Sequence, residues 1–188
     1  MKFRNNNFNL SGEIVDFNVK DPITLEVKQF YEKYPFPNYK INDNKQTILE
    51  EGNKNSFSKE LKNFIGFNKS VLEVGAGTGQ LSNYLAIGTN NQICAFDSSL
   101  KSLKIGNDFA KKNNVQNISF VRGDIFDEVF ENETFDFVLC NGVLHHTKNP
   151  YEGFKIIVKS LKNDGHILIG LYNKYGRIRT LIRSFFFK

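Results

Sequence analysis

From Ser70 onward the chain alternates between two hydrophobic rhythms. Short apolar runs occupy residues 70–74, 92–96, 118–121, 135–140 and 166–171, each rich in Val, Ile, Leu or Phe. Near-continuous apolarity over so few residues marks a strand buried on both faces. Segments of helical length or helical periodicity separate the runs. That alternation predicts a parallel sheet with crossover helices, because parallel neighbours need a long return connection.

The first third of the chain is less regular. Residues 1–20 alternate weakly and carry Asn-rich turns, which suits an arm or edge ribbon. Asp21-Pro22 opens a predicted helix, with Asp21 as its cap, Pro22 at its first position and Leu25, Phe30 and Tyr31 as apolar contacts. It should stop at Tyr34, since Pro35 disfavours helical geometry in the residue before it. Residues 34–39, Tyr-Pro-Phe-Pro-Asn-Tyr, then read as an extended, stiff, aromatic segment, either a lid over the sheet edge or packing for the arm. A polar linker is expected over residues 41–55, followed by a helix carrying Phe57, Leu61, Phe64 and Ile65 up to Gly66. The expected organisation is an arm with helix and aromatic segment over 1–55, a sheet domain over 56–175 and a basic end over 176–188.

Composition narrows the class. With 188 residues, 40% hydrophobic and 24% charged, one globular domain is expected. No stretch approaches the ~18 apolar residues of a membrane span. Residues 1–7 lack the apolar core of a signal peptide, so a cytoplasmic location is expected. Cys94 and Cys140 fall inside predicted strands, where a buried thiol is the ordinary outcome, and neither suits a nucleophile or a metal ligand. A net charge of +5 permits an anionic partner, but Lys and Asn are spread along the whole chain, so nucleic acid is not favoured.

In such a sheet, ligands bind outside the carboxyl ends of the strands. After the first run come Gly75, Gly77 and Gly79, with Glu73 two residues ahead. Glycines there let a buried strand turn at once into a loop whose backbone approaches a ligand. Asp97 follows the second run and suits a pair of ribose hydroxyls. Gly123-Asp124-Ile125 follows the third and offers a carboxylate to an exocyclic amine, while the fourth delivers Asn141-Gly142-Val143-Leu144-His145-His146. Each has a structural alternative: Glu73 can orient the loop, Asp97 can cap a helix, and Asp124 can belong to a turn. Capping, however, does not require carboxylates at three successive strand tips.

These residues together resemble a class I S-adenosylmethionine-dependent methyltransferase over about residues 56–175. The resemblance implies an α/β three-layer Rossmann-like sandwich with a mostly parallel seven-stranded sheet. Only five strands are counted here, so the last two would be lacking. A glycine loop alone also marks dinucleotide sites, but Gln80 stands where that fingerprint places its last glycine, and S-adenosylmethionine has no pyrophosphate to seat. The resemblance assigns Gly75, Ala76, Gly77, Thr78 and Gly79 to the methionine and ribose side, with Glu73 shaping the loop or holding the methionine end. It gives Asp97, with Ser98 beside it, to the ribose hydroxyls, Asp124 and Ile125 to the adenine, and Asn141 with Gly142 to the floor beside the methionine.

His145 or His146 is the candidate general base, one lining the pocket and the other structural. Adjacent histidines do not readily share one metal, so no metal site is expected. The acceptor expected is a small or lipid-like molecule. An Asn-Pro-Pro-aromatic motif and a Pro-Cys nucleophile are both missing after the fourth strand, which disfavours adenine, glutamine and cytosine-C5 methylation. RNA methylation, a non-catalytic binding subunit and a dinucleotide oxidoreductase remain alternatives. Arg177, Arg179 and Arg183 among apolar residues suggest a helix over the sheet or a basic surface. An uncovered sheet edge would predict self-association.

Overall fold

A computed structural model of the protein describes residues 2–4, 6–19, 29 and 32–171. Seven strands, β1 (Asn9–Ser11), β2 (Ile14–Asp16), β3 (Ser70–Val74), β4 (Gln92–Asp97), β5 (Ile118–Arg122), β6 (Phe135–Asn141) and β7 (Leu161–Gly170), form one sheet in the order β1-β2-β5-β4-β3-β6-β7. Only β1 and β2 pair antiparallel. The helices are α1 (Lys45–Lys54), α2 (Ser56–Ile65), α3 (Gln80–Ala86), α4 (Leu100–Lys112) and α5 (Pro150–Lys159).

Successive strand residues point to opposite faces, so each buried strand feeds two cores. Val71, Ile93, Ala95, Phe120, Phe137 and Leu139 pack with Ile48, Leu61, Ile65, Leu85 and Leu103 of α1 to α4. Leu72, Val74, Cys94, Phe96, Val121, Val138 and Cys140 pack on the other face with Phe130, Leu144 and Ile157. Helices on both faces make the three layers that the alternating pattern predicts.

Three expectations need correction. Two further strands exist, but they come from the start of the chain: a hairpin turned at Gly12, with φ of 68°, sets Val15 opposite Val121 and Asp16 opposite Arg122. The sheet therefore grows beyond β5 through residues 1–20, which form the edge ribbon that their weak alternation suits. The supposed linker of residues 41–55 contains α1. Its amino end is a capping box in which the Asn44 side chain accepts from the Gln46 and Thr47 amides and the Thr47 hydroxyl accepts from the Asn44 amide. Ile48 is its one fully buried residue. Finally, β7 starts at Leu161, opposite Phe135, and residues 162–165 bulge out before His166 meets Phe137.

The helix expected from Asp21 lies outside the described residues except at Gln29, Glu32 and Lys33, which are helical, and Tyr34, which follows them. The basic end over 176–188 also lies outside them. Among the described residues no helix is long and apolar enough to cross a membrane.

Candidate active site

The strand tips converge on one cavity. As β3 ends, the amides of Gly75 and Ala76 both donate to the carbonyl of Phe96, at 2.8 and 3.1 Å, which ties the loop to the tip of β4. Gly75 and Gly77 have φ of 74° and 55°. A Cβ on Gly75 would stand 2.2 Å from Val143 Cγ2, and one on Gly77 would stand 2.2 Å from the carbonyl oxygen of Phe36. Glycine is thus required by close approach as well as by backbone angle.

Asp97 holds the same loop from below. Its Oδ2 accepts from the Gly77 amide and its Oδ1 from the Ser99 amide, each at 2.8 Å. Burial nevertheless pushes its pKa above the ordinary carboxylate range. Glu73 accepts from the Ser82 hydroxyl, and burial, with a smaller contribution from the Asp97 charge, lifts it to about 7. Asp124 is 3% exposed. Its Oδ1 caps the short turn Ile125–Asp127 by accepting from the Phe126 amide at 3.0 Å, while its Oδ2 is buried with no hydrogen-bond partner among the described residues.

These groups line a cavity of about 410 Å³. Of the residues expected at the site, Glu73, Gly75, Ala76, Gly77, Asp97, Ser98, Asp124, Ile125, Asn141, Gly142 and His146 lie in its wall. Thr78, Gly79 and His145 do not. Thr78 is fully buried and turned away, its hydroxyl donating to the carbonyl of Pro37. Gly79 is the left-handed cap residue that starts α3. His145 and His146 share the short turn Leu144–His146, ring centroids 4.1 Å apart. Phe36, Pro37, Leu81 and Thr147 also line the cavity and escape the motif reading, and Val143 lines it within the 141–146 run. Only the stiff aromatic segment around Pro35 offered a signal for the first two.

A second link steadies this edge. Arg122 donates from Nη1 to both oxygens of Asp16, at 3.1 and 2.9 Å, and from Nε to the carbonyl of Ser98 at 3.2 Å. The ion pair is buried, with both side chains 9% exposed. The amino-terminal hairpin thereby braces the loop that follows Asp97.

The site suits a nucleoside better than a dinucleotide. Asp124 Oδ2 is a buried acceptor lacking a donor, which an exocyclic amine would supply. Gln80, at the pyrophosphate-glycine position, uses its side-chain amide to donate to the carbonyl of Asn38 at 3.0 Å. Both cysteines are buried and free, and burial pushes the thiols up, Cys140 to about 12. Among the described residues no group of three His, Cys, Asp or Glu could hold a metal ion.

A family model described as a methyltransferase domain matches residues 65–184. The chain belongs to the class I S-adenosylmethionine-dependent methyltransferases. It is similar to the ribosomal protein L11 methyltransferase of Prochlorococcus marinus, 29% identical over 133 residues, covering 67% of this chain and 42% of the relative. It is also similar to the ubiquinone biosynthesis O-methyltransferase of Glaesserella parasuis, 29% identical over 121 residues, covering 62% and 50%. In fold it resembles phosphoethanolamine N-methyltransferase 1 of Haemonchus contortus, solved with phosphoethanolamine and S-adenosylhomocysteine. There the TM-score is 0.58 at 19% identity, over 78% of this chain and 31% of that one. The methyltransferase chain spans 39% to 50% of the length of the first curated relatives it matches.

Proposed function

We propose that this chain transfers a methyl group from S-adenosylmethionine to a nucleophile on a small or lipid-like acceptor, releasing S-adenosylhomocysteine. The observation that carries the reading is the ring of three carboxylates, Glu73, Asp97 and Asp124, around one glycine-lined cavity, with Asp124 Oδ2 lacking a donor. When bound, the cofactor supplies a methyl group already electrophilic on a positive sulfur.

The protein then has few chemical duties. Asp97 accepts the ribose hydroxyls while continuing to hold the Gly77 amide, and Asp124 receives the adenine amine. Glu73 places negative charge beside a cation. Phe36 and Pro37 cover the glycine loop and exclude water. His146, exposed in the cavity wall, takes the proton that the attacking nucleophile loses, with His145 packed beside it. Residues 56–175 are the cofactor-binding unit in this reading, and the arm before them contributes the aromatic cover.

The relatives' names point to a ribosomal protein, a ubiquinone precursor step and phosphoethanolamine, so no single acceptor is inherited. A small acceptor is favoured by Asn141-Gly142-Val143 in place of an Asn-Pro-Pro-aromatic run. Calorimetry with S-adenosylmethionine, S-adenosylhomocysteine and NAD tests the cofactor: binding of either sulfur compound is expected, and preference for NAD would reverse the reading. Labelled methyl transfer into a cell extract, fractionated into small molecules, lipid, RNA and protein, tests the acceptor. Label in the first two fractions is expected; label in RNA or protein overturns the acceptor class.

A further inference from the structure

We infer that Thr78 and Gln80 are positioning residues that act on the cofactor through residues 36–39, latching this segment across the Gly77 side of the cavity; the inference rests on the cofactor reading above. The latch is dense. The carbonyl of Phe36 accepts from the Thr78 amide at 3.3 Å, the carbonyl of Pro37 accepts from the Thr78 hydroxyl, and the carbonyl of Asn38 accepts from Gln80 Nε2 at 3.0 Å. Tyr39 completes it. Its hydroxyl donates to the Thr78 carbonyl at 3.3 Å and accepts from Asn83 Nδ2 at 3.0 Å, while its ring stacks on Phe109 with centroids 4.5 Å apart.

Four consecutive residues are thus tied to the glycine loop, three of them by backbone carbonyls. The Phe36 side chain meanwhile stays 68% exposed at the cavity mouth. A large apolar ring held in water by its own backbone is unfavourable unless something flat or apolar covers it. A ligand seated between Gly77 and Asp97 would lie under Phe36 and Pro37, both of which line the cavity. The latch therefore sets how fast that ligand leaves.

The test uses the full chain with S-adenosylhomocysteine as the probe, its release followed by stopped flow after mixing with excess unlabelled ligand. Gln80→Ala, Thr78→Val and Phe36→Ala are each expected to release it about five-fold faster or more, the scale of one lost hydrogen bond or apolar contact. Thr78→Ser, which keeps the hydroxyl, should restore the wild-type rate. Gln80→Ala should also speed tryptic cleavage after Lys40 while leaving the melting temperature of the unliganded protein unchanged. Unchanged release in Gln80→Ala and Phe36→Ala, with tight binding to the wild type, overturns the latch and leaves the cofactor reading intact. Absence of any binding to the wild type overturns the cofactor reading itself, and the latch with it.

Discussion

On one side of the cavity Glu73, Asp97 and Asp124 stand at the tips of three neighbouring strands, and each carboxylate is held by a hydroxyl or an amide. On the other side residues 141–147 leave the sheet through Gly142, at φ of 76°, into one short turn, with Asn141 and His146 exposed. The first side is fixed by its hydrogen bonds, while the second ends in exposed side chains. A cofactor that never changes can be met by a fixed, hydrogen-bonded constellation. An acceptor that differs between relatives is better met by loop positions such as His146 and Thr147, which can vary without disturbing the sheet.

The sharpest way to break this contrast is to remove the brace under the first side. Asp16→Ala leaves Arg122 buried without its partner and should cost about 3–5 kcal/mol of unfolding free energy in a denaturant titration. A loss under ~1 kcal/mol would mean that the hairpin does not brace the site. Next in size, Asp97→Ala should weaken S-adenosylhomocysteine binding on the order of 100-fold by calorimetry, since it removes charge-assisted bonds to the ligand and to Gly77 together. Replacing both His145 and His146 by Ala should do the opposite, lowering turnover about 100-fold or more while affinity stays within about two-fold. Equal turnover in the double variant removes the histidines from the chemistry.

The smallest effect is a pH dependence. With Glu73 raised to about 7, its carboxyl is mostly neutral at lower pH, and a bound sulfonium favours the charged form. Affinity for S-adenosylmethionine should therefore climb as pH rises through about 7 and then level off. S-adenosylhomocysteine, which lacks the positive sulfur, should show a shallower climb, and Glu73→Gln should flatten the difference. The same shift gives the unliganded protein a stability contribution that is complete below the ordinary value of 4.5 and lost as pH rises toward 7. The melting curve of Glu73→Gln should lack that decline.

The uneven legibility of the molecule has physical causes. Strands β3 to β6 are readable because burial on both faces forces a near-continuous apolar run, and their ends match the pattern to within a residue. The hairpin strands have three residues each, enough only for the weak alternation that suits an edge ribbon, and α1 buries one residue fully, so its signal was the Asn44 and Thr47 cap rather than an apolar stripe. At the site, the glycines and carboxylates announce themselves because their chemistry lies in side-chain type and spacing. Phe36 and Pro37 are tied to Thr78 through carbonyl oxygens, which every residue has, so the aromatic segment suggests a cover but not what holds it in place. The Asp16–Arg122 pair joins residues 106 apart, a partnership that no local pattern encodes.

That separation also has a consequence during synthesis. Strands β1 and β2 are made before β5, which ends at Arg122 and is the sheet neighbour of the pair among the described residues. While the ribosome works through the intervening residues, the hairpin has nothing to add itself to, and a two-stranded ribbon alone is marginal in water. The hairpin therefore joins the sheet only after β5 has been made, and the loop after Asp97 gains its brace only then.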